Sequence, residues 1–291
     1  MEEADRCDHL LLMRDGVIIA TGSPNGDSAS RPVFDARGRV HRDRGQALSV
    51  SRTLATTRRV LEQLRRDRRT LGLIFIVPPG LLTLLHYVFE ADAGSFQRVG
   101  TPLIGLFPLT VMFLVTSIAM LRERTSGTLE RLMSLPLGKL DLLLGYGLAF
   151  ALVATVQATI TSGVGYGLLG ITTVGSPAWV ILFAVGNAVL GTALGLFSSA
   201  FAESEFQAVQ FMPAFLFPQI LLSGLFVPRG QMPVALRLVS DCLPVSYAYE
   251  GLARVGAGHL AEGLSHDFPI VLAAVLAGLG LGALTLRRRT P

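Results

Sequence analysis

Six long apolar stretches, almost free of formal charge, constrain the fold of this chain more than any other feature. A helix needs about 20 mostly apolar residues to cross the hydrocarbon of a bilayer. Six stretches meet this requirement: 70–89, 101–121, 142–169, 179–201, 208–227 and 268–286. The chain is 51% hydrophobic and only 16% charged, whereas soluble domains carry roughly 25% charged residues. The sequence therefore predicts an all-α membrane protein with six transmembrane helices, of which the fifth, with Pro213 and Pro218, also fits a re-entrant segment.

The basic residues predict how these spans are oriented, because cytoplasmic loops carry an excess of Lys and Arg near the ends of spans. If the amino terminus is cytoplasmic, the flanking bases on that side are Arg58, Arg59, Arg65, Arg66, Arg68, Arg69, Arg122, Arg124, Arg131, Lys139, Arg287, Arg288 and Arg289. The bases on the other side are Arg98, Arg229, Arg237 and Arg254. We therefore expect both termini in the cytoplasm. The basic ends favour contact with anionic lipid rather than with nucleic acid.

The segment 49–69, just before the first span, has the pattern of an amphipathic helix. Its apolar face consists of Val50, Leu54, Thr57, Leu61 and Leu64, and its basic face of Arg52, Arg58, Arg59, Arg65, Arg66 and Arg69. Such a helix can lie along the inner membrane interface with its bases on lipid phosphates. A solvated helical linker is the alternative interpretation.

The interiors of the predicted spans contain no Asp, Glu, Lys or Arg. Carriers driven by ions or protons usually need such a group inside the membrane to bind the driving ion. The polar side chains that do occur are the amides of Gln157, Asn187, Gln210 and Gln219. They line a substrate path or bridge neighbouring helices. The small-residue spacings Gly163/Gly167, Gly191/Gly195 and Gly278/Gly282 allow close helix packing.

The loop between the second and third spans, RERTSGTLERLMSLPLGK (122–139), mixes acids and bases with a small apolar face. We expect a helix of about ten residues that begins near Thr125 or Ser126 and ends before Pro136, since the residue before a proline disfavours helix. A helix of this kind can bind a cytosolic partner, although an ordinary loop helix on the membrane surface has the same pattern.

This loop resembles the E-R-x-x-G-T-L-E-R-L-x-x-x-P-L signature of type-2 ATP-binding-cassette exporter permeases, in particular the daunorubicin-resistance-type drug-export permeases of actinobacteria. Two further segments, AESEFQAVQFMPAFLFPQILLSGLFVP and LVSDCLPVSYAYEGLARV, follow in the order of that family. The chain departs from the family at Tyr249-Glu250, where relatives tend to have a smaller residue followed by Asp. The resemblance covers residues 48 to 289, and it implies a bacterial plasma-membrane protein.

In that family the loop between spans two and three is a coupling helix that fits a groove on the ATPase, and the segment before span one is a connecting, or elbow, helix. The resemblance implies coupling roles for Glu123, Arg124, Gly127, Thr128, Glu130 and Arg131 and membrane contacts of the elbow helix for Arg52, Arg59 and Arg66. It also implies a re-entrant segment between spans five and six. A substrate path between spans two and five would include Gln210, Phe211, Phe215, Phe217 and Gln219.

The amino terminus carries a second resemblance. MEEADRCDHLLLMRDGVIIATGSP looks like the end of an ATP-binding-cassette ATPase domain, with a strand, a turn at Asp15-Gly16 and a second strand. The only lysine, Lys139, is followed by Leu140, so the sequence contains no G-x-x-x-x-G-K-[ST] phosphate loop. We expect three parts: 1–24 as an ATPase-like remnant or a misassigned start, 25–47 as a flexible linker, and 48–291 as the permease domain.

These features predict a permease subunit that is not itself an enzyme and binds no metal. By resemblance it forms a homodimer and relies on a partner ATPase for ATP and magnesium, exporting a hydrophobic or amphipathic drug by alternating access. Export of a lipid, a glycan or sodium by the same family is an alternative. A channel or carrier that needs no ATPase is another, and it predicts transport by the purified chain alone. The sequence does not identify the substrate.

Overall fold

The computed structural model describes residues 10–14, 17–22, 33–34, 40–41, 49–128 and 139–285, and contacts divide the chain into two units, 1–47 and 48–291. In the first unit β1 (Leu10–Arg14) pairs antiparallel with β2 (Val17–Gly22), with a register shift between Leu12 and Met13. The two strands are those that the sequence predicts, and the predicted turn at Asp15-Gly16 lies outside the described residues. A second antiparallel pair, β3 (Val33–Phe34) and β4 (Val40–His41), falls within the predicted linker.

The described part of the second unit is helical. Its α-helices are α1 (Val50–Arg66), α2 (Arg68–Val88), α3 (Ala93–Thr125), α4 (Lys139–Gly167), α5 (Pro177–Ser198), α6 (Glu205–Phe211), α7 (Phe217–Leu222), α8 (Val234–Asp241), α9 (Pro244–Gly256), α10 (Leu260–Glu262) and α11 (Phe268–Thr285). Two π-helical segments, Met212–Leu216 and Gly263–Asp267, connect α6 to α7 and α10 to α11. The prediction of an all-α membrane domain is confirmed.

Five helices in the described part of the chain are long and apolar enough to cross a membrane. They are Arg68–Val88, Gly94–Thr125, Asp141–Gly167, Pro177–Ser198 and Leu260–Gly282. The predicted spans 70–89, 101–121, 142–169, 179–201 and 268–286 correspond to these five. The chain is therefore a multi-pass membrane protein.

The fifth predicted span is a helix interrupted at its centre and is not among these five. Helix α6, the π segment and α7 follow one another from Glu205 to Leu222, a length of about 27 Å at 1.5 Å per residue. Pro213 lies in the π segment, where the missing N–H and the clash of its ring with the preceding turn disturb regular α-helical bonding. A total of six spans stays a prediction.

The last span begins earlier than the sequence predicts. It runs from Leu260 rather than from residue 268 and so includes Glu262 and Asp267. Asp267 is fully buried, and Arg254 donates to both of its carboxylate oxygens at 2.9 and 2.8 Å. The longer helical stretch therefore includes acidic residues that lie outside the predicted span 268–286, and a charged side chain on another helix compensates the buried carboxylate.

The core of the bundle is built on the contact between α3 and α5. A methyl group added at Gly191 would lie 2.1 Å from the Leu109 carbonyl oxygen, and one added at Gly195 would lie 2.5 Å from that of Phe113. Glycine at these two positions therefore lets the two backbones touch. A methyl group added at Gly163 or Gly167 would have no neighbour within 4 Å, so their predicted packing role is not seen within the described residues.

Two of the four amide side chains in the predicted spans bridge neighbouring helices, which is one of the two roles that the sequence allows. Gln157 donates to the Ile74 carbonyl at 2.8 Å and Asn187 to the Ala248 carbonyl at 2.9 Å. The second bond holds α9 against α5, where its buried face of Val245, Ala248, Leu252 and Val255 packs. Helices α8 and α9 thus fill the region between the fifth predicted span and the last one, at the end of the bundle where α3 begins.

Candidate functional site

Helix α1 lies against the first half of α4. The Thr57 hydroxyl is 3.1 Å from the Gly145 carbonyl oxygen, to which it can donate, and a methyl group at Gly145 would approach the Thr56 side chain to 2.5 Å. The Ser49 N–H donates to the Asp141 carboxylate at 2.8 Å and fixes the start of the helix. These contacts hold α1 on the bundle rather than leaving it as a free linker.

The buried face of α1 differs from the predicted apolar face. Thr56, Thr57, Val60 and Leu64 are buried, whereas Val50 and Leu54 are 76% and 53% exposed. The inward face is therefore rotated relative to the predicted one. Contact of the exposed residues with the membrane stays a prediction.

The centre of the candidate site is a charged junction between α1 and the end of α3. Arg59 Nη2 donates to both carboxylate oxygens of Glu123, at 3.3 and 3.2 Å, and Gln63 donates to the same carboxylate at 3.1 Å. The Glu123 side chain is 11% exposed and that of Arg59 is 31% exposed. We call these three residues the Arg59–Glu123 junction. It brings together two residues that the sequence assigned to different groups, one to the elbow helix and one to the coupling loop.

The two neighbours of Glu123 reach other helices. Arg122 donates to both carboxylate oxygens of Glu205, at 2.7 and 3.1 Å, and so contacts the start of α6. This hydrogen bond lowers the pKa of Glu205. Arg124 is half-buried and lies 3.5 Å from the Thr285 hydroxyl at the end of α11. Because successive residues of a helix project about 100° apart, three consecutive residues of α3 contact three different parts of the bundle.

The chain then turns into the predicted coupling loop. Helix α3 ends at Thr125, and Gly127 has φ of +70°, a conformation that favours glycine. Thr128 is helical again, and its hydroxyl lies 2.9 Å from that of Ser126. The next helix therefore begins two or three residues later than predicted. Glu130 and Arg131 lie outside the described residues, as do 287–289.

The start of α2 is fixed by an acidic cap. The Asp67 carboxylate accepts from the Thr70 N–H at 3.1 Å and from the Thr70 hydroxyl at 2.6 Å. These bonds lower the pKa of Asp67, and they mark the break between α1 and the first span. Arg66 is exposed and Arg52 is half-buried, and neither belongs to the junction.

The predicted substrate-path residues differ in their exposure. Gln210, Phe215 and Phe217 are exposed and Phe211 is half-buried. Gln219 is buried and donates to the Phe215 carbonyl in the preceding π segment. The Phe215 ring stacks on Phe113 of α3, with ring centroids 6.3 Å apart. The contact between spans two and five is therefore present, and a substrate path along it stays a prediction.

Sequence reasoning missed a charge network at the other end of the bundle. Arg229 donates to Asp241 and, at 2.6 Å, to Glu250, and Arg254 bonds the buried Asp267. Burial opposes the charge of Arg229, but the nearby carboxylates and the Tyr247 contact raise its pKa. Only the Glu250/Arg254 spacing of four residues was visible in the sequence. Within the described residues, no group of three His, Cys, Asp or Glu side chains is arranged to hold a metal ion.

Comparison with known proteins agrees with this architecture. A family model described as "ABC-2 type transporter" matches residues 51–255. The chain is 33% identical over 148 residues to "Probable multidrug ABC transporter permease YbhR" of Escherichia coli K12, covering 50% of this chain and 39% of that protein. It is 28% identical over 208 residues to "Probable multidrug ABC transporter permease YbhS" of the same strain, covering 70% and 55%. These matches span about half the length of the two relatives.

A relative of more similar length comes from Mycobacterium tuberculosis H37Rv. The chain is 26% identical over 225 residues to "Probable doxorubicin resistance ABC transporter permease protein DrrC", covering 72% of this chain and 79% of that protein. The matches therefore include proteins named as probable multidrug permeases and one named as a probable doxorubicin resistance permease.

Proposed function

Because the chain belongs to the ABC-2 type transporter family, we propose that it is the permease subunit of an ATP-driven exporter. It pairs as a homodimer in the bacterial plasma membrane, with both termini in the cytoplasm, and binds a separate ATPase subunit that supplies ATP and magnesium. Its cargo is a hydrophobic or amphipathic drug. The names of the relatives support this cargo, since they include multidrug and doxorubicin resistance.

The observation that carries the proposal is the set of contacts made by Arg122, Glu123 and Arg124. These residues directly precede the loop that resembles the coupling helix, and they contact α6, α1 and α11 respectively. A displacement of the loop therefore acts on three parts of the bundle at once. Helix α3 is continuous from Ala93 to Thr125, so the movement passes along it to the other end, where Thr101 lies beside Gly256 of α9.

The Arg59–Glu123 junction transmits this movement to α1. A charged pair that is largely removed from water has a strong preference for one geometry, since displacing either partner leaves the other charge uncompensated. When the partner ATPases close on nucleotide, α1 and the end of α3 move as one body. The two permease halves then shift between inward-open and outward-open states.

The replacement Glu123→Gln tests the proposal in the complex of the chain with its ATPase, reconstituted in liposomes. This replacement keeps the shape of the Glu123 side chain and removes its charge. We expect doxorubicin-stimulated ATPase activity to fall about tenfold, equivalent to about 1.4 kcal/mol, while copurification of the ATPase is unchanged. Glu62→Gln is the matched control, because Glu62 makes the same type of pair with Arg58 on the exposed side of α1.

The charge reversal Arg59→Glu with Glu123→Arg extends this test. Each single reversal places like charges together and should abolish stimulation, and the double variant should restore part of it. Full drug stimulation in Glu123→Gln, with no difference from Glu62→Gln, would show that the junction does not transmit coupling.

A further inference from the structure

The two helices that flank the predicted coupling loop both contact α1. Before the loop, the Glu123 carboxylate near the end of α3 accepts from Arg59 and Gln63. After the loop, the Asp141 carboxylate near the start of α4 accepts from the Ser49 N–H at 2.8 Å. A displacement of the loop therefore reaches α1 through α3 and through α4.

Tyr146 of α4 lies where these contacts meet. Its side chain is buried, and its hydroxyl lies against the Glu123 carboxylate and the Arg59 guanidinium, although the geometry of both contacts falls short of a direct hydrogen bond. A phenol hydroxyl can donate to a carboxylate and accept from a guanidinium. Because polar interactions are stronger away from water, this hydroxyl stabilises the ion pair from the side of α4.

The Tyr146 ring is packed in an apolar cluster that α1, α3 and α4 share. The cluster includes Val60 of α1 and Met120 of α3. Next to Tyr146, a methyl group at Gly145 would approach the Thr56 side chain to 2.5 Å, so α1 and α4 are in close contact here. A close-packed ring keeps its orientation, and the Tyr146 hydroxyl therefore has a fixed position relative to the ion pair.

We propose that Tyr146 is a positioning residue, whose hydroxyl holds the Glu123 carboxylate on Arg59 and connects this ion pair to α4. The inference rests on the proposed function, since it names a further residue through which the loop moves α1. With the hydroxyl in place, α1, α3 and α4 move together. Without it, α4 can shift along α1 while the ion pair stays behind.

Tyr146→Phe tests the position of the hydroxyl in the purified chain, without ATPase or nucleotide. It keeps the buried ring and removes only the hydroxyl. We expect deuterium exchange at the backbone amides of α1 to become about threefold faster, as for loss of one weak polar contact, while exchange in α5 is unchanged. Tyr166→Phe is the matched control and should not change exchange in α1. Tyr166 lies on the same helix, and its hydroxyl also makes no direct hydrogen bond to the described residues.

A double variant tests whether the hydroxyl acts through Glu123. If it does, Tyr146→Phe has no further effect on exchange in α1 once Glu123→Gln has removed the charge of the carboxylate. Unchanged exchange in α1 of Tyr146→Phe would overturn the inference, and so would additive effects of the two replacements. Faster exchange in all helices, including α5, would mean that the hydroxyl only stabilises the fold, and would overturn it as well.

The complex with the partner ATPase in liposomes tests the consequence for coupling. We expect Tyr146→Phe to lower the amount of doxorubicin transported per ATP hydrolysed about threefold, and Tyr166→Phe to leave it unchanged. An equal ratio in the two variants would overturn the positioning role. If the unaltered complex does not transport doxorubicin, the proposed function fails, and the exchange measurements still decide whether Tyr146 holds the ion pair.

Discussion

At the residue scale, the role of a side chain in this protein depends on which residues of other helices it contacts, and residue type alone does not identify that role. Arg59 belongs to a run of arginines whose pattern indicates lipid contact, yet it bonds Glu123, 64 residues later. The pattern cannot separate the two cases, because the outward face of an amphipathic helix is polar whether it meets lipid phosphates or a carboxylate. The candidate coupling residue Glu123 was predicted from the family signature, and its partners Arg59 and Gln63 were not predicted as a pair.

The glycines give a test at the same scale. Gly191→Ala would place a methyl group 2.1 Å from the Leu109 carbonyl oxygen, and overpacking of this kind costs roughly 1–3 kcal/mol. We expect a lower midpoint of thermal unfolding in detergent. Gly163→Ala is the control, since nothing lies within 4 Å of that position, and it should be neutral or slightly stabilising. If both variants unfold at the same temperature as the unaltered protein, α3 and α5 do not touch at Gly191.

At the element scale, the existence of the helices was more predictable than their ends. Length and apolar content identify five spans, because the bilayer imposes both, and the first, third and fourth agree with the structure to within three residues at each end. The start of the last span was missed by eight residues, since Asp267 interrupts the apolar run and its partner Arg254 lies on α9. Pro213 explains why the fifth predicted span is interrupted. The sequence did not predict that the interruption is a π-helical segment.

The ion pair between Arg254 and Asp267 should hold α9 against the π segment that leads into α11. Asp267→Asn removes the charge of a fully buried carboxylate, and losing one partner of a buried pair costs about 3–5 kcal/mol. Because Arg254 is 31% exposed, we expect roughly 2 kcal/mol, seen as a lower unfolding midpoint in detergent. Glu262→Gln, at the exposed end of the same network, should have little effect. Equal midpoints for both variants would mean that the pair does not stabilise α9.

At the scale of the whole molecule, the permease unit has two specialised ends. One end contains the Arg59–Glu123 junction, the contacts of Arg122 and Arg124 and the start of the predicted coupling loop. The other end contains the charge network around Arg229 and Arg254. Helix α3 joins them, with Glu123 near one end and Thr101, beside α9, near the other. This layout suits a protein in which a movement imposed at one end opens or closes the other.

The central claim is that this chain moves its cargo only when an ATPase drives it. The most direct measurement is doxorubicin transport in liposomes that contain the chain with or without its proposed partner ATPase. We expect ATP-dependent transport when both proteins are present, and none from the chain alone under an ion gradient without nucleotide. Doxorubicin flux through the chain alone, driven only by that gradient, would contradict the claim.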